Sequence, residues 1–360
     1  MARARRCSCV GETLRDLVSV GKARLSEPSL LWGYVAIAAI GLLSTVAIAI
    51  YRSTFSLEES AGSPLYIFVS ITILFLVGTF RPLFLVIRLH PEPLRQLRDD
   101  LYRYRGWITA SVLAMLAIPQ ALQFSSIMKQ TIPQAVPFYA DNTIIELEHA
   151  LLGADAWEIT HAVLGEFATR QIDLLYGLWH LVNITLLVWL VVTPNRRLQV
   201  HGVLTYQLIW ILLGGVLATA LSSVGPCFLE EFTGDRRFAP LMERLGNLNE
   251  AEQLHSFTAM GYLLASRGTD AFGSGISAMP SLHVAIAFMT VLVAFSQTRV
   301  LLIRLTASAY FAVILIGSVH LGWHYLFDGL VAIPLVWMIW WACGRLVRWL
   351  DRTVSSDSQN

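Results

Sequence analysis

Long apolar runs recur along this chain, separated by short stretches rich either in arginine or in acidic residues. A helix needs ~20 mostly apolar residues to cross the hydrocarbon core of a bilayer. Eight segments meet that length: roughly 30–51, 65–88, 107–126, 172–193, 202–223, 280–297, 302–321 and 327–346. The third and sixth carry the weakest signal, because Pro119, Gln120 and Gln123 interrupt one and Ser281 and His283 open the other. Two further segments are too long to be simple connections. Residues 127–171 hold a helical pattern after Asp141, read as an N-cap, with Ile144, Ile145, Leu147, Leu151 and Leu152 on one side. Residues 224–279 hold another around Leu241, Met242, Leu245 and Leu248. Both read as interfacial helices that lie on the outer leaflet and partly roof a site, with plain surface helices covering the bundle as the alternative. The expected fold is all-α: a polytopic transmembrane helix bundle of about eight spans, with two interfacial helical segments on the outer side.

Charge sets the expected orientation. Arg3, Arg5, Arg6, Arg15, Lys22 and Arg24 precede the first span; Arg88, Arg95, Arg98, Arg103 and Arg105 follow the second. Arg196 and Arg197 follow the fourth, Arg299 and Arg304 the sixth, and Arg345, Arg348 and Arg352 the eighth. With eight spans, all of these fall on one side. The opposite segments carry Glu58 and Glu59, then Asp141, Glu146, Glu148, Asp155 and Glu158, then Glu230, Glu231 and Glu250. The positive-inside rule makes both termini cytoplasmic. The chain divides into a cytoplasmic segment 1–29, helices and an outer segment over 30–221, a motif-bearing region 222–346 and a cytoplasmic tail 347–360. Residues 1–29 do not read as a cleavable signal, and the polar stretch Asp351–Asn360 is expected to be unstructured.

Composition agrees. The chain is 55% hydrophobic and 14% charged, well short of the quarter of charged residues usual in soluble domains. A net charge of +1 gives no pointer to nucleic acid. Cys7 and Cys9, Cys227 and Cys343 make no disulfide framework and read as ordinary thiols, a metal-binding or acylated C-x-C pair being the alternative for the first two.

Two stretches carry chemistry: Gly275-Ile-Ser-Ala-Met-Pro-Ser-Leu-His283 at the outer mouth of the sixth span, and Gly317-Ser-Val-His-Leu-Gly-Trp-His-Tyr-Leu-Phe-Asp328 between the seventh and eighth. Pro280 suits the first turn of a helix, which would leave the amides of Ser281, Leu282 and His283 as donors for a phosphate. Ser281 can add a hydroxyl donor, and His283 points from that turn toward the anion. His324 and Asp328 are four apart and share a helical face if the eighth helix starts near them. The carboxylate then fixes the imidazole tautomer and leaves the other nitrogen free to attack phosphorus. A single histidine at a span end is usually just an interfacial side chain. Four ionisable groups on one side (His283, His320, His324 and Asp328) point to a site. His320 and His324 also have the spacing of zinc ligands, which leaves a metal reading open.

Pro280-Ser281-Leu282-His283 and Gly322-Trp323-His324-Tyr325-Leu326-Phe327-Asp328 resemble the second and third signatures of the type 2 phosphatidic acid phosphatase superfamily. Ala278-Met279-Pro280-Ser281-Leu282-His283 and His324-Tyr325-x-x-Asp328 look closest to its inositol phosphorylceramide synthase-like branch and, more distantly, to sphingomyelin synthases. The resemblance covers roughly residues 222–335. It implies that His324 is the nucleophile forming a phosphohistidine, that Asp328 orients it, and that His283 is the general acid. Two departures stand out. The first signature, a Lys followed seven residues later by Arg-Pro, is absent from the outer segments, since Arg81-Pro82 lies on the other side. The Ser-Arg of the third signature aligns with Gly317-Ser318, and the synthase branch also lacks that arginine. Arg236, Arg237 and Arg267, after Gly225-Pro226-Cys227-Phe228, are candidates to neutralise phosphoryl charge, with solvated arginines near headgroups as the alternative.

The sequence thus predicts a membrane enzyme acting at the outer leaflet on a phospholipid or polyprenyl phosphate, without metal or other cofactor. Transfer to an alcohol is favoured over hydrolysis. The substrate-binding residues are expected to be Ser281, Pro280, Gly322, His320, Tyr325, Arg236 and Arg237 around the catalytic His283, His324 and Asp328. The expected partners are the bilayer and a lipid phosphate, with no nucleic acid. The rival class is a transporter or lipid-binding scaffold, against which stand the absence of a repeat and the position of the polar cluster at span ends.

Overall fold

The computed structural model describes residues 30–55, 62–269 and 271–357. The basic residues at positions 3–24, Cys7, Cys9, Glu58, Glu59 and the last three residues lie outside the described residues.

The described chain is mostly helical, its longest interruption being the stretch between Ala265 and Leu282. Five spans run as α1 (Leu31–Phe55), α2 (Gly62–Ile87), α3 (Pro93–Ala135), the pair α6 (Glu166–Gly177) and α7 (Trp179–Val192), and α8 (Arg196–Leu208). The last of these continues through a π-helical stretch (Ile209–Leu217) to Ala220. The other three are α12 (Leu282–Gln297), α13 (Leu301–His320) and α14 (Leu326–Asp357). Seven of the eight are long and apolar enough to cross a membrane, and α12, with 16 residues, is the shorter exception. This is an integral multi-pass membrane protein.

The third span departs most from expectation. It is one 43-residue helix that contains Pro119 and Pro133 and begins well before the apolar run, taking in Arg95, Arg98, Arg103 and Arg105. Its buried face mixes large apolar residues (Met115, Ile118, Ile127, Met128, Ile132) with small ones (Ala110, Ser111, Ala114, Ala117, Ala121, Ser125, Ser126), and the small ones let neighbours approach closely where lipid supplies no hydrophobic drive between helices. Helix α1 packs against it, and α2 lies outside with most of its apolar surface exposed. The last helix also outruns expectation: it stays helical to Asp357, past the start of the expected polar tail.

One face carries both signatures. On this site face sit α4 (Ala140–Leu152), α5 (Ala156–Val163), α9 (Leu229–Thr233), α10 (Ala239–Ala251) and α11 (His255–Ala265). The two expected interfacial segments are therefore five short helices. Helix α10 docks through Leu241, Leu245 and Leu248, all buried at helical spacing, each contributing roughly 1.5–3 kcal/mol. Helix α4 corrects the sequence reading. Its N-cap is Tyr139, not Asp141, and its buried stripe is Asp141, Ile144, Ile145 and Glu148, while Leu147 and Leu151 are exposed. Two carboxylates occupy an inward face because backbone amides of neighbouring loops meet them there. Arg88, Arg196, Arg299 and Arg345 and their neighbours lie at the opposite ends of the spans from this acidic face.

Candidate active site

The first signature-bearing loop reaches the bundle by close backbone packing. Gly275, at φ +100°, lies against α3 where a Cβ would stand 2.5 Å from that of Lys129. Ser281 is the N-cap of α12, its hydroxyl accepting the Val284 N–H at 3.3 Å. Pro280 therefore precedes the cap, in a cis peptide with Met279, rather than entering the first turn. The Ser281 amide donates to the Asp328 carbonyl at 3.1 Å, so only the Leu282 and His283 amides remain as open donors at this helix end. Ser281 itself is fully buried and serves as a cap.

The second loop folds over the first. Helix α13 stops at His320, Gly322 turns the chain at φ +75°, and α14 starts at Leu326. His324 thus lies in the loop, two residues ahead of the helix that was expected to carry it. It still meets Asp328: Nδ1 is 3.3 Å from Oδ2, which also accepts the Tyr325 amide at 3.0 Å. Nε2 of His324 has no protein partner among the described residues. The His283 and His324 rings are 5.8 Å apart between centroids, close enough for one phosphoester to touch both. His283 stacks on Tyr176 at 4.9 Å and packs against Trp179 at 4.4 Å, whose indole N–H binds the His283 carbonyl at 3.0 Å. Two buried polar atoms at this spot, Tyr176 Oη and Asp328 Oδ1, have no hydrogen-bond partner. Such orphans are expected where a ligand completes the network.

The remaining predicted residues scatter. His320 is fully buried in a second histidine pair, stacked on His161 at 3.8 Å, with its ring nitrogens on Thr169 (2.8 Å) and Thr160 (3.0 Å). It does not converge with His324, and no group of three or more His, Cys, Asp or Glu among the described residues could hold a metal ion. Arg237 grips Asp155 with two bonds of 3.0 and 2.7 Å, Arg236 pairs with Glu230 at 3.1 Å, and Arg267 pairs with Glu231 at 3.0 Å. Each arginine proposed for a phosphate already has a carboxylate. Arg81 pairs with Asp100 near the opposite face. Gly322 and Tyr325 do belong to the site loop: the Gly322 carbonyl accepts the Cys227 amide at 2.8 Å, and the Tyr325 hydroxyl donates to Asp141 at 3.0 Å. Burial, aided by the Asp141 charge, holds the Tyr325 phenol far above its ordinary value, so it remains a donor.

Sequence reading passed over a cation. Among the described residues Lys129 of α3 has no carboxylate partner; it lies beside Gly275 of the first loop and lines a cavity of about 240 Å³ with Arg267, Phe232, Leu263 and Ile276. A signal was present. Lys129 precedes Val136-Pro137 at the spacing the first signature gives to Lys and Arg-Pro, with valine in the arginine's place.

The model of the PAP2 superfamily matches residues 142–342, a stretch that contains His283, His324 and Asp328 and leaves Lys129 outside. The chain belongs to the PAP2 superfamily. PAP2 proteins are phosphatases and phosphotransferases, so phosphoryl transfer is the general chemistry of this fold. The matched span runs from α4 to the middle of α14 and so includes the short helices of the site face as well as both signature loops of this PAP2 protein. No curated protein and no solved structure matches the chain.

Proposed function

We propose that this PAP2 protein is a lipid phosphotransferase that displaces at phosphorus through a phosphohistidine on His324. The observation that carries the reading is the Asp328-held His324 with an open Nε2 beside the His283 ring. Asp328 accepts a hydrogen bond from the Nδ1–H, which keeps the proton on that nitrogen and leaves the Nε2 lone pair for attack. As the P–O bond to the donor breaks, His283 gives its proton to the departing oxygen; it then takes a proton from the incoming hydroxyl, which attacks phosphorus and restores His324. Lys129 and the free amides at the start of α12 balance charge on the phosphoryl oxygens. Transfer to an alcohol, as in the inositol phosphorylceramide synthase-like branch, is favoured by the Gly317-Ser318 pair where the phosphatases carry Ser-Arg. The test is to incubate the purified protein with candidate phospholipids and an alcohol acceptor in the presence of EDTA. A new phosphodiester lipid and an acid-labile phosphoenzyme are expected. Free phosphate alone would make it a phosphatase, and complete loss on chelation, restored by zinc, would overturn the metal-free mechanism.

The site face is placed at the non-cytoplasmic leaflet, with both termini in the cytoplasm. The support is the arginine excess at the opposite ends of the spans. Single cysteines at Gly153 and Gly246 should react with an impermeant thiol reagent in intact cells, whereas one at Asn195 should not. Protection at 246 together with reaction at 195 would reverse the orientation.

A further inference from the structure

Helix α4 carries neither signature, yet both of its buried carboxylates end on the reactive loops. Asp141 accepts the Ser223 hydroxyl at 3.0 Å, the Val224 and Gly225 amides at 3.0 Å, and the Tyr325 hydroxyl at 3.0 Å. Gly225, at φ +87°, lies so near the second loop that a Cβ would stand 2.8 Å from the Trp323 carbonyl oxygen. About two turns further along the same face, Glu148 accepts the Leu326 amide at 2.6 Å and the Ala156 amide. His324 is therefore followed by a residue whose ring is tied to Asp141 and by another whose amide is tied to Glu148. The Tyr325 amide goes to Asp328. Three carboxylates grip the segment that carries the imidazole, and only Asp328 belongs to the signature.

We infer that Asp141 and Glu148 are positioning residues for His324, so that α4 is part of the catalytic apparatus rather than a cover over it. The inference rests on the reading of His324 as nucleophile, but the grip itself can be tested without any turnover. Holding a nucleophile within a fraction of an ångström of its line of attack matters because a shift of about 1 Å can lower a rate on the order of 10²-fold.

Glu148 is a costly way to hold a loop, and that gives it a signature of its own. Burial pushes its carboxyl up to about 7; the Leu326 and Ala156 amides pull it down, and the carboxylates of Asp328 and Asp155 facing it push it further up. With a folded value above the unfolded one, its stability contribution is fully present below the ordinary carboxyl range and is lost as pH rises through about 7. Replacing it with a neutral isostere removes that loss.

Glu148→Gln keeps one acceptor, and Glu148→Ala keeps none. The expected kcat falls about tenfold for Gln and on the order of 10²-fold for Ala, with KM little changed. The melting temperature of Glu148→Gln relative to wild type should rise between pH 5 and pH 8, so the variant becomes relatively more stable while it is slower. A residue that merely supported the fold would lower both. The independent readout is carbethoxylation by diethyl pyrocarbonate, followed residue by residue with mass spectrometry. Glu148→Ala and Asp141→Asn should speed modification of His324 several-fold without changing that of His149 or His161. Unchanged His324 reactivity in Glu148→Gln and Glu148→Ala, or a relative melting temperature flat from pH 5 to pH 8, would overturn the grip whatever the enzyme's activity. Faster modification of His324 in a protein that transfers no phosphoryl group would instead uphold the grip and remove the function.

Discussion

His324→Ala should show no turnover with any phosphoester, whereas His283→Ala should regain much of its rate on an activated aryl phosphate. The asymmetry follows from their places in the site. Asp328 holds one nitrogen of His324 and leaves the other open, while His283 is fixed by Tyr176 and Trp179 with no carboxylate behind it among the described residues. A group that attacks phosphorus cannot be spared by any substrate. A group that only protonates the leaving oxygen contributes typically ~10²–10⁴-fold, and least when that oxygen is already stable as an anion. Asp328→Asn should fall between the two, because the imidazole remains but its tautomer is no longer set. The measurement is the initial rate of each variant on a lipid substrate and on the aryl ester in detergent. Recovery by His324→Ala but not His283→Ala would exchange the two roles, and recovery by both would leave neither as nucleophile.

Lys129→Met should lower kcat on the order of 10²–10³-fold, the effect of removing one charge-stabilising donor from a dry site. Methionine keeps the volume and the unbranched chain, so the α3 packing against Gly275 survives. The three arginines considered from sequence are held by Asp155, Glu230 and Glu231, so no such effect is expected of them. Arg236→Gln and Arg267→Gln should accordingly change the rate by less than about threefold, as expected for exposed ion pairs. Rates for all three variants at saturating lipid decide the matter: an undiminished Lys129→Met together with a crippled Arg267→Gln would assign the charge-balancing role to Arg267 instead.

Seven of the spans were legible because bilayer thickness imposes a length that their apolar runs obey; the sixth, opened by Ser281 and His283, is a 16-residue helix that falls short of it. The helices of the site face were legible only in part. Asp141 looked like a cap because aspartate before an apolar stripe usually is one, and the amides of Val224 and Gly225 that claim it lie far away in the chain. His320 looked like a partner of His324 from spacing, but the chain turns at Gly322 between them and sends His320 to Thr160 and Thr169. Local patterns carry local geometry. A site joined across distant loops shows itself only through motifs already known, and Lys129 stayed hidden because valine replaced the arginine that would have flagged it.

The bond between Asp141 and Tyr325 joins residues 184 positions apart, and that between Glu148 and Leu326 joins residues 178 apart. The ribosome therefore makes the two buried carboxylates long before it makes their partners. During that interval Asp141 can engage the 223–225 loop once it emerges, but Glu148 has only the Ala156 amide until the last helix brings that of Leu326. Contacts of such long sequence separation form late. Competence for chemistry is thus acquired only when α14 enters the bundle, and a nascent chain that still lacks this helix is a membrane protein without an assembled site.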